Sequence, residues 1–200
     1  MNKVICFIGC IGGGKDYQAK EYIKKHPQTK HINFADELRE MAWDILGCKP
    51  FYGNQYDAFK KTHFRDCGDT EAEISFTGRE FLQRLGTEAL RKRDPNFWVK
   101  CWINKVQEAL NGGFDVVCSD CRFENELRFA LGLNYAANLH NPCETQFVFC
   151  DYHSDRYDSL NAHESEKLAQ TIKKSGEFDD LQIIPEQYFR DMFCNCMSLQ

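Results

Sequence analysis

The stretch Gly9-Cys-Ile-Gly-Gly-Gly-Lys15-Asp16 decides how this chain reads. It matches G-x-x-x-x-G-K, follows the apolar run Lys3–Ile8, and opens a helix-forming stretch from Gly14 to about Lys25 that His26-Pro27 ends. Glycines let the backbone curl so that several N–H groups converge on one phosphate. The helix start adds its positive end, and Lys15 reaches the β and γ phosphates of a nucleotide. The plain alternative is a glycine-rich turn with a solvated lysine. Strand, loop, lysine and helix in register favour the phosphate cradle. Its departure is Asp16, where Ser or Thr ordinarily offers magnesium a hydroxyl. A carboxylate also serves a hard cation, directly or through water.

Working outward from the loop, strands and helices alternate. Lys30–Phe34 reads as a strand, and Asp36–Leu46 as an amphipathic helix with Leu38, Met41, Ala42, Ile45 and Leu46 at helical spacing. Residues 47–76 show no sustained period and read as an irregular insertion or lid. Thr77 and Glu80 form a capping-box pattern opening a helix over 78–93, and Asp94-Pro95 restarts the chain as a helix running to Gly112-Gly113. Then come a strand at Phe114–Ser119, a helix at Arg122–Leu131 and a strand at Gln146–Cys150. A helix at Glu164–Lys174, a strand at Leu181–Ile184 and a helix at Pro185–Phe193 follow. This alternation predicts an α/β fold, a parallel sheet covered on both faces. With 200 residues the chain suits one domain, or one domain carrying an inserted lobe.

The strand Phe114–Ser119 delivers Asp120 at its carboxyl end, where such sheets bind ligands, so Lys15 and Asp120 can meet there. An arginine supply surrounds the cradle: Arg65, Arg79, Arg84, Arg91, Arg93 and Arg122. Arg79, Gln83 and Thr87 fall at i, i+4 and i+8 on one helix face, where Gln83 can read a base edge and Arg79 can hold a phosphate bidentately. Arg65, Arg79 and Arg122 are the candidates for clamping an acceptor phosphate.

Thirty acidic against twenty-five basic residues, a formal charge of −5, argue against a nucleic-acid coat or a basic membrane-surface protein. No stretch approaches the ~20 apolar residues of a membrane span. The run Val4–Ile11 is broken by glycines and Lys15 and reads as a buried strand rather than a signal peptide. Eleven scattered cysteines cannot all pair internally, and they read as small buried residues of a reducing, cytoplasmic compartment. Cys118-x2-Cys121 with His140-x2-Cys143 resembles a four-ligand zinc pattern, but the helix between the pairs and the Asp at the strand end weigh against it.

Further strings carry a resemblance. After the loop come Phe34-Ala-Asp-Glu-Leu-Arg39, then Thr77-Gly-Arg-Glu-Phe-Leu-Gln-Arg-Leu-Gly-Thr-Glu88 continuing to Asp94-Pro-Asn-Phe-Trp98. Ser119-Asp-Cys-Arg-Phe-Glu-Asn-Glu126 and His163-Glu-Ser-Glu166 follow. In that order, over nearly the whole chain, they resemble the deoxynucleoside monophosphate kinases of bacteriophage type. Glycine-lysine-aspartate is what that family tends to carry. Tyr17, where a Thr is usual, and Ile184-Pro185, in place of Ile-x-Asn, depart from its pattern.

The resemblance implies a three-layer α/β/α P-loop kinase domain over residues 1–200, with a lid or monophosphate-binding insertion at 47–95. It implies transfer of the γ-phosphoryl of ATP to a deoxynucleoside 5′-monophosphate with Mg2+, in a possible homodimer. Gly12, Gly13, Gly14, Lys15 and Asp16 would hold ATP, and Asp16 and Asp120 the metal. Phe34, Ala35, Asp36, Arg79, Gln83, Arg91, Trp98, Asn125, Glu126 and Glu164 would surround the acceptor, joined by Arg65 from the arginine supply. Lys15, Asp120 and Arg122 would be catalytic. Alternatives are a P-loop kinase for another phosphorylated acceptor, of dephospho-coenzyme A or phosphomevalonate type, and a non-catalytic nucleotide-binding regulator.

Overall fold

The computed structural model describes residues 1–10, 12–65, 75–133, 143–150 and 167–175. Glu164, His140, the strand expected at 181–184 and the helix expected at 185–193 lie outside the described residues. The chain divides into two compact units: Met1–Phe34 with Val99–Gln200, and Ala35–Trp98.

The first unit is built on a four-stranded, all-parallel sheet. Its strands are β1 (Asn2–Ile8), β2 (Thr29–His31), β5 (Asp115–Cys118) and β6 (Cys143–Phe149), in the order β2-β5-β1-β6. Every residue of β1 from Val4 to Ile8 is buried, as a central parallel strand covered on both faces requires. Alternate side chains serve different cores. Ile5 and Phe7, with Val117, pack against Ala19, Tyr22 and Ile23 of α1 (Lys15–Lys25). Val4, Cys6 and Ile8 face α5 (Phe97–Asn111), α6 (Glu124–Gly132) and α7 (Lys167–Ser175), through Trp102, Val106, Leu127, Phe129 and Ile172 among others. The fold is therefore α/β, with helices on both faces of the sheet.

The strand order sets a topological switch point between β1 and β5. From β1 the chain crosses over α1 to β2, beyond β5. From β5 it crosses by α6 to β6, on the other side of β1. With right-handed crossovers these connections leave β1 and β5 toward opposite faces of the sheet. The crevice beyond the carboxyl ends of those two strands is the site where open α/β sheets take ligands.

The second unit holds α2 (Asp36–Leu46), α3 (Asn54–Lys61), β3 (His63–Arg65), β4 (Ser75–Thr77), α4 (Gly78–Gln83) and a π-helical stretch, Arg84–Arg91. Its core is aromatic: Trp43, Phe59 and Leu82 are buried, with Phe51, Tyr56, Phe64 and Phe81 packed on them. β3 and β4 pair antiparallel, Phe64 opposite Phe76. The stretch 47–76, irregular by sequence, thus contains a helix and both strands of this small sheet. Eight residues of helix and three of strand are too short to show a period, and burial around Trp43 holds them instead.

The helix expected over 78–93 also changes character. Thr77 and Glu80 do cap it: the Glu80 N–H donates to Thr77 Oγ1 at 3.2 Å, and the Thr77 N–H donates to Glu80 Oε2 at 2.6 Å. From Arg84 the ladder shifts to i→i+5 bonds, and the Lys92 N–H reaches Thr87 O. Arg79 and Gln83 keep their shared i, i+4 face on α4, and only Thr87, within the π-helical stretch, leaves the i, i+4, i+8 register. Gly86 lies in the widened stretch, where its carbonyl accepts the Trp98 indole N–H at 2.9 Å. A Cβ there would come within 2.8 Å of Leu38 Cδ2, so a larger residue would have to displace the end of that leucine side chain on α2.

Among the described residues no helix is long and apolar enough to cross a membrane.

Candidate functional site

The loop between β1 and α1 turns on glycines. Gly12 and Gly14 take φ values of 79° and 84°, the left-handed region that glycine enters without a Cβ penalty. Gly13 is required for a different reason: a Cβ there would lie 2.6 Å from the Cys150 carbonyl oxygen at the end of β6. The Gly13 N–H closes the turn onto Cys10 O at 3.0 Å. α1 then starts at Lys15 after Gly14, an N-cap residue that makes no side-chain cap bond.

Lys15 is only 7% exposed. Its ammonium folds back over the loop and donates to Gly9 O at 2.7 Å and Cys10 O at 2.8 Å. Two carbonyls at the mouth of the loop thus hold the cation that the motif assigns to phosphate. Nearby, burial pushes the Cys150 thiol up, and the Lys15 charge offsets only part of that shift.

Across from the loop, the end of β5 presents Ser119 and Asp120. Asp120 is 8% exposed, and its Oδ1 accepts the Phe34 N–H at 2.8 Å. Ser119 joins three segments. Its hydroxyl donates to Asp16 Oδ1 at 2.7 Å, His31 Nε2 lies 3.0 Å from that hydroxyl, and the Ser119 N–H donates to Asn33 Oδ1 at 2.8 Å. The structure links Asp16 to Ser119 and, separately, Asp120 to Phe34, and it adds Ser119, His31 and Asn33, which the sequence reading left without a role. Partners 86 to 103 residues apart follow no local spacing rule.

Other expected site residues have visible structural employment. Phe34 is buried and stacks on Trp102, ring centroids 4.3 Å apart. Glu126, 2% exposed, accepts the Arg122 and Phe123 N–H groups at 2.8 and 3.1 Å and so caps the start of α6. Arg122 and Asn125 are half-buried at the start of the same helix. In the second unit, Ala35 precedes α2, and Asp36 accepts from Arg39 Nη1 at 2.7 Å. Arg79 is exposed on α4; Gln83 and Arg91 are half-buried, and Trp98 is buried on Gly86. Arg65 ends β3.

The donor set suits a hard cation. Asp16, bonded by the Ser119 hydroxyl, and Asp120 offer carboxylate oxygens, and magnesium is ordinarily held by one or two carboxylates together with substrate phosphates. Among the described residues no group of three or more His, Cys, Asp or Glu is placed to hold a metal. The eight described cysteines are all free thiols. Burial pushes Cys118 and Cys121 well up, Cys118 further through its bond with Cys6 and the charge of Asp120. Those two thiols fill the core, as small apolar residues do.

No protein-family model matches the chain, and no curated protein matches it.

Proposed function

We propose that this chain is a three-layer P-loop kinase that transfers the γ-phosphoryl group of ATP to deoxynucleoside 5′-monophosphates. One observation carries the reading. The glycine loop with its buried Lys15 follows β1, the Ser119 hydroxyl at the end of the neighbouring β5 bonds Asp16 in the first turn of α1, and Asp120 is the next residue. That collection of donors, cation and carboxylates is the complement of a metal-bound triphosphate.

The division of labour follows from the chemistry. Gly12–Gly14 and the first N–H groups of α1 cradle the phosphates. Lys15 exchanges its bonds to the Gly9 and Cys10 carbonyls for phosphate oxygens, which removes the lysine from the loop mouth as the donor enters. Asp16 and Asp120 would hold Mg2+, which supplies charge neutralisation across the β and γ phosphates. The acceptor monophosphate oxygen forms the new bond to Pγ, the bond from Pγ to the bridging oxygen breaks, and ADP leaves. A phosphate monoester has its second pKa near ~6, so its attacking oxygen carries no proton at neutral pH and no general base is needed. Asp120 is an orienting residue in this scheme. Its Oδ1 is already fixed by the Phe34 N–H, as such a role requires. Arg122, with Arg65 and Arg79 as the other candidates, offsets acceptor charge. By the resemblance, Phe34, Ala35, Asp36, Gln83, Arg91, Trp98, Asn125, Glu126 and Glu164 would serve the acceptor. Free thiols throughout the described core suit a reducing, cytoplasmic setting.

An ADP-release assay over deoxynucleoside monophosphates, dephospho-coenzyme A and phosphomevalonate tests the reading. At least one deoxynucleotide raises turnover well above the rate without acceptor. Stimulation by one of the other two acceptors alone reassigns the substrate.

A further inference from the structure

We infer that Ser119 is the positioning residue of the phosphate loop: it supplies from the end of β5 the hydroxyl that the loop lacks after Lys15, and it acts through Asp16. The inference rests on the nucleotide-binding part of the function proposed above.

The hydrogen-bond inventory of Ser119 leaves little freedom. A serine hydroxyl has one proton, and a carboxylate can only accept, so the 2.7 Å bond to Asp16 Oδ1 takes that proton. What remains on Oγ is lone pairs, so His31 Nε2, at 3.0 Å, is the donor of its pair. This orientation fixes the histidine with its proton on Nε2. The Ser119 N–H is meanwhile bound to Asn33 Oδ1 at 2.8 Å, and Ser119 is 1% exposed. Asn33 Oδ1, 3.4 Å from the hydroxyl, is the competing acceptor for its proton, and the shorter bond to the charged Asp16 carboxylate is the stronger of the two.

Asp16 is different. It is exposed in the first turn of α1, where a carboxylate ordinarily samples several rotamers. One charge-assisted bond to a buried hydroxyl selects a single orientation. That bond also offsets part of the negative charge which Asp16 brings close to an incoming triphosphate. The usual loop puts a hydroxyl directly after its lysine. Here the loop puts a carboxylate there, and the hydroxyl arrives from a strand 103 residues away.

Two roles for the same bond predict different binding behaviour. A staple between β5 and α1 supports the loop whether or not metal is present, and its loss weakens every nucleotide equally. A positioning residue acting through the Asp16 carboxylate matters only when a cation is there to be held. Its loss weakens the magnesium-dependent part of binding alone.

The experiment is calorimetric titration of the β,γ-imido analogue of ATP, with Mg2+ and with EDTA. It compares wild type, Ser119→Ala, Ser119→Thr, Asp16→Asn and the Ser119→Ala/Asp16→Asn double variant. Ser119→Ala loses roughly tenfold in affinity with Mg2+, the usual effect of one bond to a charged group, and changes less than about twofold in EDTA. Ser119→Thr regains most of the loss. In the Asp16→Asn background, Ser119→Ala adds less than about twofold, because the two act as one unit. Ser119→Cys keeps the side-chain volume but offers only a weak donor, so it shares the loss and substitutes if Ser119→Ala does not fold. Equal loss with Mg2+ and with EDTA, or full additivity in the double variant, overturns the inference. Wild type that binds the magnesium complex but transfers no phosphoryl group removes the kinase reading and leaves this one standing. Wild type that binds no nucleotide removes both.

Discussion

Asp120 Oδ1 accepts the backbone N–H of Phe34 at 2.8 Å, which ties the end of β5 to the residue where the first unit gives way to the second. The bond separates two roles of one carboxylate. Asp120→Ala leaves a buried N–H unsatisfied and costs about 1–3 kcal/mol of stability. Asp120→Asn keeps an acceptor oxygen for Phe34, so its stability stays close to wild type while turnover falls roughly 100-fold through loss of the charge. Urea denaturation beside steady-state rates distinguishes the two variants; equal rates for Asp120→Asn and wild type would remove Asp120 from the site.

Gly13→Ala drives a Cβ to within 2.6 Å of the Cys150 carbonyl oxygen. Both partners are backbone-fixed, so the loop must move, at a cost of about 1–3 kcal/mol. Nucleotide affinity falls at least about tenfold, read by titration with the ATP analogue. Gly47→Ala serves as a comparison, because its Cβ meets nothing within 4 Å although φ is 61°. It lowers stability without weakening nucleotide binding.

Cys118 and Cys121 resist alkylation. Burial raises both thiols well above the ordinary cysteine value, so the reactive thiolate is scarce at pH 8. Timed iodoacetamide labelling followed by peptide mass spectrometry finds Cys48 and Cys101, which are partly exposed, modified before the buried thiols among the described residues. Cys118 and Cys121 label only in denaturant. Early labelling of either one in native protein contradicts their placement in the core.

The cap of α4 carries a pH signature. The Glu80 carboxyl is held below its ordinary value, first by the Thr77 backbone N–H and then by the Thr77 hydroxyl. A depressed folded value means stability that is complete above the ordinary carboxylate range and lost as pH falls through the folded value. The stability gap between wild type and Glu80→Gln therefore narrows on acidification below pH ~4.5. Thr77→Ala costs about 1 kcal/mol at neutral pH, as loss of an N-cap does. A gap that widens in acid excludes the bond as the source of the shift.

Local signals carried the reading of this chain furthest where one element met another within a few residues. The apolar run before Gly9 and the helix after Gly14 announce β1 and α1, and Asp36–Leu46 appears as a helix with those same bounds. Thr77 and Glu80 announce the start of α4 three residues apart. What escaped was set by distant contacts. α3 and the β3–β4 pair form because aromatic side chains close over Trp43, and no period within eight or three residues records that. The π-helical stretch uses the same helix-forming residues as an α-helix and differs only in which carbonyl each N–H reaches. The positions of Lys15 at the start of α1 and Asp120 after β5 were legible from motif and strand end. Ser119, His31 and Asn33 meet only once β2 and β5 pair, which no spacing encodes.

The central claim is that the loop and strand end of the first unit bind ATP for phosphoryl transfer to a deoxynucleotide. The most direct test is chromatographic detection of deoxynucleoside diphosphate formed from ATP and each deoxynucleoside monophosphate with Mg2+, in wild type and Lys15→Ala. The account predicts diphosphate product with at least one acceptor and a loss of at least ~100-fold in Lys15→Ala. No diphosphate with any deoxynucleotide, or undiminished product without the Lys15 ammonium, would contradict it.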